Sequence, residues 1–122
     1  MKSLNISWFE IPVSDMERAV AFYEQLFGIN IQVHDLGQLK MGLLPGGNDG
    51  ALVENEIFYK PSESFGPLIY LNAGEDLLNV LNKVEQAGGK IQIPKRQISE
   101  SRGFMAVIID SEGNRIALHS NS

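Results

Sequence analysis

No cysteine occurs among the 122 residues, so the chain has no disulfide framework, no thiolate metal site and no cysteine nucleophile. Basic residues are also scarce: ten Lys and Arg stand against fifteen Asp and Glu, for a net charge of −5. They are scattered rather than clustered, which argues against nucleic acid as a partner. Long apolar runs are missing, so nothing approaches the roughly 20 residues that cross a bilayer, and no membrane partner is expected. The opening MKSLNISWFEIP lacks the basic start and apolar stretch of a secretion signal, and a cytoplasmic protein is expected. No Gly-x-Ser-x-Gly elbow is present, and the serines cluster in loops away from histidine. Nucleophilic hydrolysis has no support. Two glycine-rich stretches, Pro45-Gly46-Gly47 and Gly88-Gly89-Lys90, do not lead from a strand into a helix as a phosphate cradle must.

What is there centres on Ile6 to Gly28, ISWFEIPVSDMERAVAFYEQLFG. It reads as a strand, a tight turn at Val13-Ser14-Asp15 and an amphipathic helix closed by Gly28. Ser14 and Glu17 have the spacing of a capping box, in which Ser14 bonds the first-turn amides and Glu17 reaches back. Met16, Ala19, Val20, Tyr23, Leu26 and Phe27 form one helical face. The stretch occurs twice. An offset of 61 carries Asp15 onto Asp76, Glu24 onto Glu85, Gln25 onto Gln86 and Gly28 onto Gly89, and the helical stripe follows. Later the offset grows to 66, where Gly47-Asn48 meets Gly113-Asn114 and Ala51-Leu52 meets Ala117-Leu118. One module of about half the chain is used twice.

Each module reads as βαβββ. Strands are expected at about Asn5–Pro12, Ile29–Asp35, Leu39–Leu44 and Ala51–Glu54, with a helix over Asp15–Phe27 and a turn over Pro45–Gly50. Phe58–Gly66 is a loop marked by Pro61 and its serines, and it divides the modules. The second copy has a strand at Pro67–Asn72, a helix at Asp76–Ala87 and strands at Lys90–Ile93, Phe104–Ile109 and Arg115–His119. Pro94–Gly103 (PKRQISESRG) is expected as a polar loop over one end of the sheet. The class is α+β, in one domain over residues 1–122, with module one at about 1–57 and module two at about 67–122.

The run WFEIPVSDMERAVAFYEQLFG, the phrase EQAGGKI and the ending IDSEGNRIALH resemble the vicinal-oxygen-chelate superfamily. That superfamily includes lactoylglutathione lyase (glyoxalase I), ring-cleaving dioxygenases and bleomycin-resistance proteins. The resemblance covers almost the whole chain, and the turn Asp110 to Asn114 (DSEGN) is among its more specific marks. It implies paired βαβββ modules in a curved, incomplete barrel whose concave face holds the site. Metal-dependent members place His, Glu or Gln on the first and last strand of each module. Those positions fall here on Trp8, Ala51, Ile69 and Ala117, none of which offers the nitrogen or oxygen donor a divalent cation needs. Slips of one residue bring up Ser7, Phe9, Gly50, Leu52, Leu68, Tyr70, Ile116 and Leu118, which do not rebuild the site. No metal is therefore expected at the usual position, and no cofactor is called for.

Two polar residues stand near those positions. Alternation along a strand puts Glu10 on the face of Trp8 and His119 on the face of Ala117. Facing one cavity, they are candidates for general base and acid, or for ligands of a displaced metal. The alternative is that Glu10 sits at a solvated rim or pairs with an arginine, and that His119 is exposed near the C-terminus. His34 beside Asp35 reads as a solvated strand end, and Tyr59 and Arg96 lie in loops from which a ligand is within reach.

Three readings follow. The first, and the favoured one, is a metal-free protein that encloses a small organic molecule. Trp8, Val53, Ile69, Leu71 and Ala117 would line the pocket, with Glu10 and His119 as polar anchors; Glu10 then favours a cationic or hydrogen-bond-donating ligand. The second is an enzyme related to lactoylglutathione lyase, an isomerase or lyase using Glu10 and His119. The third is a regulatory or interaction domain on the same scaffold. The architecture also makes a homodimer the expected assembly.

Overall fold

The computed structural model describes residues 2–46, 50–55 and 59–122. The centre of the expected Pro45–Gly50 turn, the repeat pair at Gly47-Asn48 and the start of the Phe58–Gly66 loop lie outside the described residues.

Module one runs β1 (Phe9–Val13), α1 (Met16–Phe27), β2 (Gln32–Asp35), β3 (Lys40–Leu43) and β4 (Gly50–Glu54). Module two runs β5 (Ile69–Asn72), α2 (Leu78–Leu81), α3 (Val84–Ala87), β6 (Lys90–Ser99), β7 (Gly103–Ile109) and β8 (Arg115–Ser120). Each module makes a four-stranded mixed sheet, in the orders β1-β4-β3-β2 and β5-β8-β7-β6. The first and last strands pair in parallel, Glu10 opposite Ala51 and Tyr70 opposite Ala117. The remaining pairs are antiparallel. This is the α+β tandem of βαβββ modules that the repeat predicts, and it forms no closed barrel.

One core serves both modules. Ile11, Phe22, Leu26 and Leu52 of the first pack in the same cluster as Leu77, Val84, Ile108 and Leu118 of the second. Each such fully buried side chain contributes about 1.5–3 kcal/mol relative to exposure. The helices meet there, because the apolar stripe of α1 has its counterpart in Val80, Leu81 and Val84. A smaller cluster of Met105, Val107 and Ala117, with Leu68 and Ile93 against it, lies on the other face of the second sheet.

Several expected elements differ. The second helix is two short ones rather than a single run over Asp76–Ala87, with Asn82 and Lys83 between them. Leu77 and Lys83, which precede the two pieces, make no side-chain cap, and the first amide of α2, Leu78, donates to Asp76 Oδ1 at 2.9 Å. The expected loop at Pro94–Gly103 is mostly strand, because β7 supplies a pairing partner out to Ser99. Register shifts around Pro94 accommodate the proline that made the segment read as a loop.

The capping box is also corrected. Asp15, not Ser14, is the N-cap of α1, and its side chain accepts from the Arg18 amide. The amides of Ser14 and Asp15 are instead bound by Glu112 Oε1, at 2.9 and 2.8 Å. A carboxylate from the other module takes the place foreseen for Glu17.

Candidate functional site

Strand alternation fixes which side chains leave the core. Ile11 and Val13 point into it from β1, so Glu10 and Pro12 point away, on the side shared with Trp8. Trp8 Nε1 donates to Glu10 Oε2 at 3.0 Å, the i, i+2 contact expected of two residues on one face. Tyr59, in the connection between the modules, donates its hydroxyl to Glu10 Oε1 at 2.5 Å. Burial, followed by this bond to the carboxylate, pushes the Tyr59 phenol well above its ordinary range.

These groups open onto a cleft of about 300 Å³ at the seam of the two modules. Glu10 and Pro12 of β1, Ile69 of β5, Arg115 of β8, and Tyr59, Lys60 and Phe65 of the connection are among its walls. The connection is held against β8 by backbone pairing, with the Arg115 amide donating to the Ser62 carbonyl at 3.1 Å. Arg115 Nη2 donates to the Gly66 carbonyl at 2.9 Å. Its Nε is buried without a hydrogen-bond partner among the described residues. Trp8 lies in an adjoining hollow with Phe9, Glu10 and Tyr59.

Of the seven residues expected to line a pocket, the cleft takes Glu10 and Ile69, with Trp8 next door. The others lie elsewhere. Leu71 packs against the shared core, as Ile69 also partly does. Val53 and Ala117 are buried at 3% and 0% exposure, on β4 and β8. His119 Nε2 contacts the Arg102 carbonyl at 2.7 Å and is not in the cleft with Glu10. The offset of 61 explains the misplacement. It equates Trp8 with Ile69, but their faces differ: Ile11 lies opposite Leu52 as Leu71 lies opposite Leu118, so Leu71 matches Ile11 and Ile69 matches Phe9, a strand offset of 60 rather than 61. The connection from β5 to α2 is longer than that from β1 to α1. A helix offset therefore does not hold for the strands, and an odd shift reverses their faces. Tyr70, 50% exposed, and Asn72 are the β5 residues on the outer side.

The donor set can be tested against the metal that the resemblance implies. Trp8, Ala51, Ile69 and Ala117 supply no lone pair suited to a divalent cation. Glu10 is engaged by Trp8 and Tyr59, and His119 by Arg102. Among the described residues, no group of three or more His, Asp or Glu is placed to hold an ion. The residues do not fit the group. His34 is exposed on β2, opposite Met41, and Arg96 is exposed on β6, opposite Met105.

The strongest polar cluster is one that the reading of function missed. Asp110 accepts from the Tyr23 hydroxyl at 2.6 Å, from the amides of Glu112 and Asn114, and from Asn114 Nδ2. Asn114 Nδ2 also donates to the Pro12 carbonyl at 2.6 Å. Glu112 takes Arg18 in a two-pronged pair at 2.7 and 2.8 Å. Desolvation outweighs the hydrogen bonds at Asp110 and pushes its carboxyl pKa above the usual range, making it a weaker acid. At Glu112 desolvation acts the same way, but Arg18, the Asp15 and Ser14 amides and Ser111 outweigh it and hold the group below that range. The DSEGN turn thus fastens module two to the start of α1. Its function is structural, and the Glu112–Arg18 contact across 94 residues has no local signal in the sequence.

A family model described as Glyoxalase/Bleomycin resistance protein/Dioxygenase superfamily matches residues 5–118. No curated protein matches the chain. Hypothetical protein SA1046 from S. aureus is similar at 21% identity and a TM-score of 0.69, with 98% of this chain and 95% of that one covered. A glyoxylase/bleomycin resistance protein/dioxygenase domain from Frankia sp. EAN1pec aligns with a TM-score of 0.73 at 15% identity, covering 99% and 94%. Glyoxalase I from Zea mays aligns with a TM-score of 0.70 at 17% identity, over 93% of this chain and 43% of that one. The chain therefore spans less than half of the maize enzyme. At such identities these likenesses establish the fold.

Proposed function

The chain belongs to the glyoxalase/bleomycin resistance protein/dioxygenase superfamily, and from that premise we propose that it binds a small organic molecule on the open side of its sheets, at the seam cleft, without the superfamily's metal. The observation that carries this reading is the cleft itself. Its walls are mainly aliphatic and aromatic, from Ile11, Pro12, Phe65 and Ile69, with a few fixed polar groups at Glu10, Tyr59 and Arg115. That is the composition of a site that encloses an apolar body and orients it through few contacts. The missing donors at Trp8, Ala51, Ile69 and Ala117 support the metal-free form.

The enzymatic reading, an isomerase or lyase related to lactoylglutathione lyase, requires Glu10 and His119 to work on one substrate. His119 turned onto the Arg102 carbonyl, away from the Glu10 cleft, favours binding over acid–base catalysis by this pair. The experiment that separates the two is metal analysis of untagged protein, followed by titration with nickel, zinc and iron(II). No bound metal and no tight uptake is the expected result, together with organic ligands that raise the melting temperature by mass action. Stoichiometric metal that disappears in Glu10→Ala and His119→Ala would replace this reading with the enzymatic one.

A further inference from the structure

We propose that the ligand of the seam cleft is a small organic anion, a carboxylate carried on an apolar body. The inference rests on the binding function proposed above and gives the ligand its charge. From the sequence, Glu10 alone suggests a cationic or hydrogen-bond-donating ligand. The structure reverses that sign. Both carboxylate oxygens of Glu10 already accept from the protein's own neutral donors, Trp8 Nε1 at 3.0 Å and the Tyr59 hydroxyl at 2.5 Å.

The cations of the cleft are the groups left without counter-charge. Arg115 and Lys60 both line it. The ion pairs among the described residues are Arg18–Glu112 and Lys95–Asp76, so neither cleft cation has a carboxylate of its own. Arg115 gives Nη2 to a neutral carbonyl, that of Gly66, and its buried Nε has no acceptor among the described residues. Buried donors in folded proteins nearly always find a partner, and Arg115 lines the cleft, where its guanidinium can turn to an oxygen from outside the chain. A carboxylate answers a guanidinium in both charge and shape. Lys60 adds a second positive charge that is exposed and free to swing toward the bound group.

The rest of the cleft suits an apolar body. Ile69 and Pro12 form walls, and Phe65 stands 83% exposed at the edge, an aromatic surface that a ligand would cover. A body lying on these residues keeps the anionic end at the Arg115–Lys60 wall and an apolar segment toward Glu10.

Matched probes test this by calorimetry and thermal shift: benzoate and hexanoate, their amides benzamide and hexanamide, and the cation benzylamine. The carboxylates should bind and raise the melting temperature, with the amides weaker by about tenfold or more, the worth of a charge-assisted contact. Arg115→Gln should abolish carboxylate binding, and Lys60→Met should weaken it several-fold. Because Arg115 also ties down Gly66, the Lys60 variant keeps the test independent of the fold of the connection. Amides or benzylamine binding as well as the carboxylates would overturn the anion assignment and leave the small-molecule reading standing. Carboxylate affinity unchanged in both variants would overturn it too. Binding by none of the five probes would remove the cleft as a ligand site, and both readings with it.

Discussion

Glu112 is the residue on which the joint between the modules turns. One fully buried carboxylate accepts from the Ser14 and Asp15 amides, from Arg18 and from Ser111. Glu112→Gln keeps the shape and removes the charge. It should cost on the order of 2 kcal/mol in urea denaturation, the scale of hydrogen bonds to an ionised group. Since the folded state holds this carboxyl below its usual range, its stabilisation is complete above the unfolded value of about 4.3 and is lost as pH falls through the folded one. Asp110 acts with the opposite sign. Its raised value means that the folded state takes up a proton before the unfolded chain does, so acid favours the fold through this group. Comparing the acid limb of wild type with that of Glu112→Gln isolates the first effect, and an unchanged limb would disprove it.

Tyr23 works at the alkaline end. Burial, then the neighbouring charge of Asp110 and the bond to it, raises this phenol far above its ordinary value. An unfolded tyrosine ionises near pH 10 while Tyr23 stays protonated, so stability should fall as pH rises past that point. Tyr23→Phe should lower stability by about 1 kcal/mol at neutral pH, through the lost bond to Asp110. It should also flatten the alkaline decline, which denaturation midpoints across pH 9 to 11 measure.

Among the elements, the second helix shows how packing overrides a local pattern. Its apolar stripe is legible, yet it breaks into α2 and α3, and the start of α3 has no side-chain cap. What holds it is the contact with α1 and the close approach behind Gly89. A Cβ there would lie 2.6 Å from the Ile109 carbonyl oxygen and 2.8 Å from the Phe22 ring. Gly89→Ala should therefore cost about 1–3 kcal/mol by overpacking. Gly37→Ala provides the contrast, since it meets no atom within 4 Å, though its positive φ of 91° carries a backbone penalty. Equal losses at the two sites would mean that backbone conformation, not the Phe22 contact, sets the cost. The glycine reads in sequence as a helix stop like Gly28. Its closest constraint is a steric one imposed by the other module and by the end of β7.

At the scale of the molecule, the outer faces of the two sheets leave apolar groups in water. Trp8 is 42% exposed, Leu43 37% and Tyr70 50%, and all four residues of β2 are exposed. Covering such surface is a common reason for two-fold assembly. Sedimentation should return twice the 13.5 kDa chain mass, and a mass of one chain at micromolar concentration would refute the dimer. Among the described residues, no helix is long and apolar enough to cross a membrane.

The sequence by itself determined the module, its duplication and the α+β class. Helical stripes, strand alternation and turn glycines are local signals, and Asp15, Gly28 and the DSEGN turn carry them within a few residues. It also determined the absence of donors at Trp8, Ala51, Ile69 and Ala117, because that depends on residue type alone. Tertiary structure decided the rest. Which face Ile69 and Leu71 present depends on the length of the β5–α2 connection, where one residue reverses every side chain. Pro94–Ser99 became strand because a neighbour offered hydrogen bonds that no local pattern announces. Glu10 met Tyr59, and Glu112 met Arg18, across 49 and 94 residues. Pairings at that separation are set by how the modules dock, so the cleft and the sign of its charge emerge only in the folded chain.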